Sequence, residues 1–362
     1  MSPWRLSAMW RKKMWEAQPE KRREMKQKEY RPMKNRKAHK GTMGAVLLLA
    51  ALFTSCGADD PLPAGGPLRL TGVEVETGEG SAATRAAVTT VEAISVYATT
   101  EAHVAYGSNP FSEYRLQNNS WSADAAPVIT ANALLYACHP PVAGVTHQAD
   151  GNHTVPVSVM TTASATAFLA TDQPDYLYGV SPASGLAPVT ATSGARAVSF
   201  RMKHALAKVS FRIVKSASAN KDKLELVQIE IQSGTSRLQS GTGTMNLKTG
   251  VLNGLSSTSL LTLADAARPV VLKEQQATPN VSCLTAPMTG KETVLSFRLK
   301  VRINGESAEN AHAFETKSVS AEWKAGYHYV YQITVDKMGG SLSSVKIDDW
   351  KSDANQNTSI GI

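Results

Sequence analysis

Alternation dominates the second half of this 362-residue chain. "VLSFRLKVRI", residues 294–303, places Leu295, Phe297, Leu299, Val301 and Ile303 on one side and Ser296, Arg298, Lys300 and Arg302 on the other. A period of two predicts a half-buried strand in an antiparallel sheet. Asn304–Gly305 follows at once; both residues tolerate positive φ and predict a tight hairpin turn. "YHYVYQITV" repeats the pattern with Tyr327, Tyr329, Tyr331, Ile333 and Val335 inward, and "VSFRI" with Val209, Phe211 and Ile213 inward. In "LELVQIEI" the inward phase switches between Leu226 and Val227, which a β-bulge would permit. Earlier, "LRLTGVEVE" (68–76) alternates in part, a polar gap "TGEGSAATRAA" follows, and "VEAISVYA" resumes. Turn signals separate these runs and no helical segments alternate with them. The pattern predicts an all-β protein built of β-sandwiches rather than an α/β fold. A break at "TATSGARA", 190–197, divides it into an N-terminal β-sandwich domain, 68–197, and a C-terminal one, 198–362.

One stretch departs from alternation. "GAVLLLAALFTSCGADD", 44–60, carries an unbroken apolar run from Ala45 to Phe53. A bilayer span needs about 20 such residues, so the run is too short. A basic stretch with Lys34, Arg36, Lys37 and Lys40 precedes it and small residues follow, the order of a secretory leader. "LFTSC" resembles the lipobox of bacterial lipoproteins, with Ser55 before Cys56. That resemblance implies acylation of the Cys56 thiol and removal of a signal peptide, 33–55. Met33 is a natural start, so residues 1–32 are expected to be over-extended translation. "GADDPLPAGGP" completes a tether, 56–67, too rich in Pro and Gly for regular structure. Asp59 and Asp60 resemble the surface-export signal that follows the cysteine in lipoproteins of some Gram-negative anaerobes.

The leader changes the reading of charge. The chain is formally +8, but residues 1–55 hold 14 Lys+Arg against 4 Asp+Glu. The remainder has 24 against 26, a net of −2. A basic pI would normally suggest nucleic acid; here the excess leaves with the leader, and no aromatics interleave with a basic patch. Beyond Cys56 only Cys138 and Cys283 remain, too few for a disulfide framework. They read equally as a pair or as two buried thiols.

Catalytic signatures are weak. "GVSPA", 179–183, lacks the second glycine of a nucleophile elbow. "SGTGTMN", 240–246, lacks the lysine and helix of a phosphate loop. His147, Asp150 and His153, with His139 nearby, have spacing that metal ligands can take, but Gly151 and Asn152 read as a loop tip and no metal is assigned. His204, just ahead of a strong strand, reads as a packed or hydrogen-bonded residue. Carboxylates are scattered. No catalytic residue, cofactor or metal is expected, and the chain reads as a non-enzyme.

Several segments, in order, carry a family resemblance. "MKHALAKVSFRI", 202–213, resembles the signature of fimbrillins, the subunits of type V pili. Phe200, His204, Leu206, Lys208, Val209 and Phe211 carry it, with Phe200 one place further from the histidine than the signature has it. "WSADAAPVITANALLYACHPP", 121–141, is similar to a second family segment through Trp121, Tyr136, Ala137 and Pro140, with Cys138 and His139 where tyrosines are usual. "DYLYG" (175–179), "MNLKTGVLNG" (245–254), "WKAGYHYVYQITV" and "VKIDDW" add to it.

The resemblance implies two β-sandwich domains of transthyretin-like, Greek-key type, export as a lipoprotein, and display at the outer membrane and in a fimbrium. It implies assembly with other fimbrial subunits, in a homo- or hetero-polymer, and adhesion to a host or bacterial surface ligand. In this family a trypsin-like protease cuts after an arginine in an early loop. The first strand leaves, and a strand of the next subunit fills the groove. Arg85, in the small-residue stretch "SAATRAAV", stands in the matching place, and cleavage there makes Ala86 the new terminus. The tail "SDANQNTSIGI" is a candidate donor segment. The alternatives are a monomeric outer-membrane lipoprotein that binds glycan or a host protein, and a secreted hydrolase.

Overall fold

The alternating runs form strands in a computed structural model that describes residues 65–76, 90–160, 168, 173–288, 293–336 and 339–349. The leader, the tether, Cys56 and Arg85 lie outside these residues. In chain order the strands are β1 (Gly66–Pro67), β2 (Arg69–Val75), β3 (Ala93–Thr99), β4 (Phe111–Gln117), β5 (Ser120–Ser122), β6 (Val128–Ile129), β7 (Ala133–His139), β8 (Thr154–Val159), β9 (Leu177–Val180), β10 (Val189–Ala191), β11 (Ala197–His204) and β12 (Ala207–Lys215). They continue as β13 (Leu224–Ser233), β14 (Leu238–Asn246), β15 (Leu252–Asn253), β16 (Ser256–Thr258), β17 (Leu260–Ala264), β18 (Val270–Val271), β19 (Val281–Thr285), β20 (Val294–Ile303), β21 (His312–Glu315), β22 (Val319–Ser320), β23 (Tyr327–Asp336) and β24 (Gly339–Asp349). Among the described residues the remaining regular elements are two 3₁₀ turns, Ala217–Ala219 and Ala308–Asn310. The all-β expectation holds.

The first large sheet runs β2-β11-β9-β7-β3-β4-β5, with β10 alongside β7. Its ends approach each other, because β5 comes close to β2. The sheet thereby curls around a core that includes Leu70, Ile94, Val96, Tyr114, Leu177 and Phe200. Further along the chain, β19-β12-β23-β24 faces β17-β13-β20-β21. Phe297 of β20 packs at 5.0 Å on Phe211 of β12 and at 4.7 Å on Tyr331 of β23, between ring centroids. Two sheets closed over such a layer make a sandwich. Trp323 is fully buried in the same core, its indole N–H donating to the Tyr331 hydroxyl at 2.9 Å.

Leu295, Phe297, Leu299 and Val301 are all buried, as the period of two requires. The phase switch in β13 is a bulge: its register against β20 shifts between Leu226 and Gln228, skipping Val227. The turn after β20 forms with φ of 52° at Asn304 and 85° at Gly305. Its return strand is delayed, however. Pairing resumes only at Val301 with His312, because the turn Ala308–Asn310 intervenes. Strand β11 begins at the domain boundary expected from the sequence and belongs to the first sheet, while the earlier β8 pairs with β14. The described residues all fall in one compact unit.

A buried aromatic cluster joins these layers. His153 is wholly buried, edge-on to Tyr97 at 5.0 Å and Tyr136 at 4.8 Å, and stacked on His147 at 5.1 Å. Its backbone carbonyl accepts from Leu247 N at 2.9 Å, and its Nδ1 accepts from Gln148 N at 3.1 Å. An accepting Nδ1 fixes the neutral tautomer with the proton on Nε2. Burial, then the neighbouring His147 and His103, push its pKa down to about 4, with Asp150 opposing weakly.

A histidine depressed in the fold is protonated first in the unfolded chain, so stability falls as pH drops from the unfolded pKa of about 6.5 towards 4. The loss reaches about 3 kcal/mol at most. Urea midpoints measured across this window should therefore fall with pH, and His153→Asn should flatten the slope. An equal slope in the variant would remove His153 as the cause.

Candidate functional site

The segment from Gly65 to Glu76 is the first part of the chain described and the most unusual in its pairing. Its first half, β1, pairs antiparallel with β6, Gly66 opposite Ile129 and Pro67 opposite Val128. Leu68 N then donates to Pro127 O at 2.8 Å. From Arg69 onward the same extended segment leaves β6 and runs parallel to β11. Arg69 N donates to Arg196 O at 2.9 Å, and Glu76 N donates to Met202 O at 2.8 Å. The strand thus bridges two sheets in sequence.

The composition of β1 fits this path. A Cβ on Gly66 would lie 3.0 Å from Arg196 Nε, and one on Gly65 would lie 2.6 Å from Ile129 O. The close backbone approach to β6 and the positive φ of 48° call for glycine at Gly65, whereas at Gly66 the Arg196 side chain would have to shift. In β2, Leu70 points into the core at 6% exposure, and Leu68 just before it is 2% exposed. The alternation is broken by one residue. Val198 pairs with Leu70 and Ser199 with Gly72, so Thr71 is skipped, its hydroxyl donating to Val198 O at 2.9 Å. Val73 and Val75 pack against the same core after the skip. The bulge explains why "LRLTGVEVE" alternates only in part.

Tyr114 of β4 is 1% exposed and donates its hydroxyl to Leu68 O at 3.0 Å. Burial holds that phenol well above its usual pKa. The strand is therefore gripped by one parallel ladder, one buried tyrosine and its own apolar side chains. It lies at the edge of its sheet, with β11 as its one ladder partner there. Nothing local in the sequence marked Tyr114, Arg196 or the parallel pairing, since each depends on a residue roughly 50 to 130 positions away.

The stretch from 77 to 89, with Arg85, lies outside the described residues, but the residues on either side of it do not. It leaves directly after Glu76, bonded to β11, and returns just before Val91, which is buried. A break anywhere in that stretch separates β1 and β2 covalently from every later strand.

The other residues singled out in the sequence are structural. His204 Nδ1 lies 2.9 Å from Asp175 Oδ2, and Lys208 is buried near them. Burial brings the Lys208 pKa down to about 8, against the opposing charge of Asp175. All three are 5% exposed or less, out of reach of a substrate. They tie the start of β9 to the β11–β12 crossing. His139 Nδ1 lies 2.8 Å from Ala93 O, and His147 Nδ1 lies 3.0 Å from the Tyr97 hydroxyl. Among the described residues no group of three His, Cys, Asp or Glu is placed to hold a metal ion. Cys138 and Cys283 are both free and buried, and burial pushes each thiol up to about 12.

Comparison with known proteins agrees with this architecture. A fimbrillin-like family model matches residues 82–350. A fimbrial protein from Bacteroides vulgatus ATCC 8482 superposes with a TM-score of 0.54 at 13% identity, over 79% of this chain and 99% of that one. A putative cell adhesion protein from Bacteroides ovatus ATCC 8483 gives 0.51 at 16% identity, over 80% and 99%. Another, from Bacteroides uniformis ATCC 8492, gives 0.50 at 19% identity, over 79% and 100%. At these identities the structures speak for the fold. No curated protein matches the sequence. With the family model spanning most of the described strands, the chain belongs to the fimbrillin-like family.

Proposed function

We propose that this protein is a structural subunit of surface fimbriae, exported as a lipoprotein through Cys56 and assembled by protease-triggered strand exchange, in support of adhesion. The observation that carries the reading is the β1–β2 segment. It lends Leu68 and Leu70 to the first core, it precedes every other described strand, and it is joined to the rest through the stretch 77–89 that contains Arg85. Cleavage after Arg85 leaves it held by non-covalent contacts alone. Its departure uncovers the side of the core between β11 and β5 and frees the β11 edge, a template for a strand of another subunit.

The spacing of the departing strand sets what can replace it. Leu70, Val73 and Val75 present an apolar-x-x-apolar-x-apolar pattern with the bulge after the first member. The same spacing recurs at Leu342, Val345 and Ile347 of β24, an edge strand whose register against β23 also skips one residue, Ser343. A second copy's C-terminal strand is therefore the donor this reading favours. The neighbours described as fimbrial or adhesion proteins support the same class of role.

Treating protein from Gly57 onward with an Arg-specific protease should yield one new terminus at Ala86 and, with time, fibres visible by electron microscopy. Arg85→Ala should block both. A cut elsewhere, or none, removes Arg85 from the scheme; a cut at Arg85 that yields only monomers favours a monomeric surface lipoprotein that binds glycan or a host protein. Tyr114→Phe removes one buried hydrogen bond to the strand, worth about 1 kcal/mol, and should speed loss of the cleaved segment with little change in overall fold by circular dichroism. Unchanged release would mean that Tyr114 does not grip it. Cys56→Ala should abolish partition into the membrane fraction, and continued partition would exclude the lipid anchor.

A further inference from the structure

A second feature lies beside β6, the partner of β1, in the chain with β1 and β2 in place. The loop from Thr100 to Asn109 and the segment from Ala126 to Asn132 enclose an open cleft of 880 Å³. That lies within the roughly 300–1,000 Å³ of small-molecule sites. Tyr106 fixes its shape. Its ring is 6% exposed, and its hydroxyl accepts from Thr130 N at 3.0 Å and Ala131 N at 2.7 Å, tying one wall to the other. Thr100 closes its own loop, its carbonyl accepting from His103 N at 2.9 Å and its hydroxyl from Val104 N at 3.2 Å. The walls are thus set before anything binds.

The polar groups at the surface of the cleft are few. Asn132 Nδ2 donates to Glu101 Oε1 at 3.0 Å, which orients a carboxylate and an amide side by side. Ser108 and Thr130 add hydroxyls that both donate and accept. Between them lie small apolar surfaces of Ala102, Ala126 and Ala131, with Val128 standing 57% exposed.

Three ligand classes fit poorly. A divalent cation such as calcium takes about 6–8 oxygen ligands, whereas the cleft has one carboxylate, already bonded to an amide N–H. An added peptide strand needs a free edge several residues long, and β6 at the rim is only Val128–Ile129, with β1 on one side of it. A wholly apolar ligand would leave the Glu101 carboxylate and the wall hydroxyls unused. A ligand dense in hydroxyls fits. Its O–H groups donate to the Glu101 carboxylate and accept from the hydroxyls of the walls, while its C–H face lies on the alanines and Val128.

The geometry points to a saccharide-binding site in this cleft, with Glu101 and Asn132 as the recognising pair and Tyr106 as the residue that positions the walls. With no exposed ring to stack on, single-sugar affinity lies in about the millimolar range, and repetition along a surface would supply avidity.

The test is chemical-shift mapping of the purified chain against methyl glycosides of glucose, galactose, mannose, N-acetylglucosamine and N-acetylgalactosamine at millimolar concentration. At least one should move resonances confined to 100–109 and 126–132. Glu101→Gln and Asn132→Ala should each weaken that response by at least about tenfold, the size expected for loss of a hydrogen bond to a charged group, with the thermal midpoint unchanged. Tyr106→Phe should weaken it while leaving the Glu101 resonance responsive. A panel without response in these segments, or a response that survives both Glu101→Gln and Asn132→Ala, overturns the assignment.

Discussion

The first core of this protein is closed by a strand that comes from the very start of the described chain. Leu68 and Leu70 complete it, and the sheet curls so that β5 and β11 stand on either side of them. A buried apolar face must be covered, because each fully buried leucine is worth roughly 1.5–3 kcal/mol relative to exposure. The cover is an edge strand with one ladder partner in its sheet, gripped additionally by the Tyr114 hydroxyl. The rest of the first sheet therefore depends on a piece of chain whose attachment is lighter than that of any central strand.

Elsewhere the fold is secured by layers that do not involve that strand. The second sandwich has its own aromatic centre in Phe211, Phe297 and Tyr331. Between the layers sit the Asp175–His204 pair with Lys208 nearby, and the His153 cluster. Buried polar groups of this kind cost desolvation and return it only in one arrangement, so they fix how strands meet more than they add stability.

The sequence was most legible where one face of a strand meets a core and the other meets water. Leu295 to Val301 alternate because β20 has one buried side, and the bulge at Val227 could be read as a slip in phase. Legibility failed where both faces are covered. In β3, Ile94, Val96 and Ala98 face the first core while Tyr97 faces the other cluster, so the strand loses its period. The delayed return after Asn304–Gly305 was hidden because a turn motif specifies its own two residues and not where pairing resumes. His204 was legible as a bonded residue, but its partner Asp175 stands 29 positions earlier and no local rule connects them. Glu101, Tyr106 and Asn132 carried no motif at all; their relation exists only once two loops are brought together. The readings of Cys56 and Arg85 rest on sequence alone, a lipobox-like motif for one and place in the chain for the other, because both lie outside the described residues.

The direction of β2 has a consequence for form. It runs parallel to β11, and a parallel neighbour cannot be supplied by a tight hairpin. The partner must arrive over a long connection or from another molecule. Under the proposed exchange it comes from another molecule, giver and receiver use different surfaces, and the contact is heterologous, open-ended unless its rotation closes a ring. Subunits joined this way would all face the same direction, and an open filament of them would have two unlike ends: one that still offers a strand and one that still lacks it.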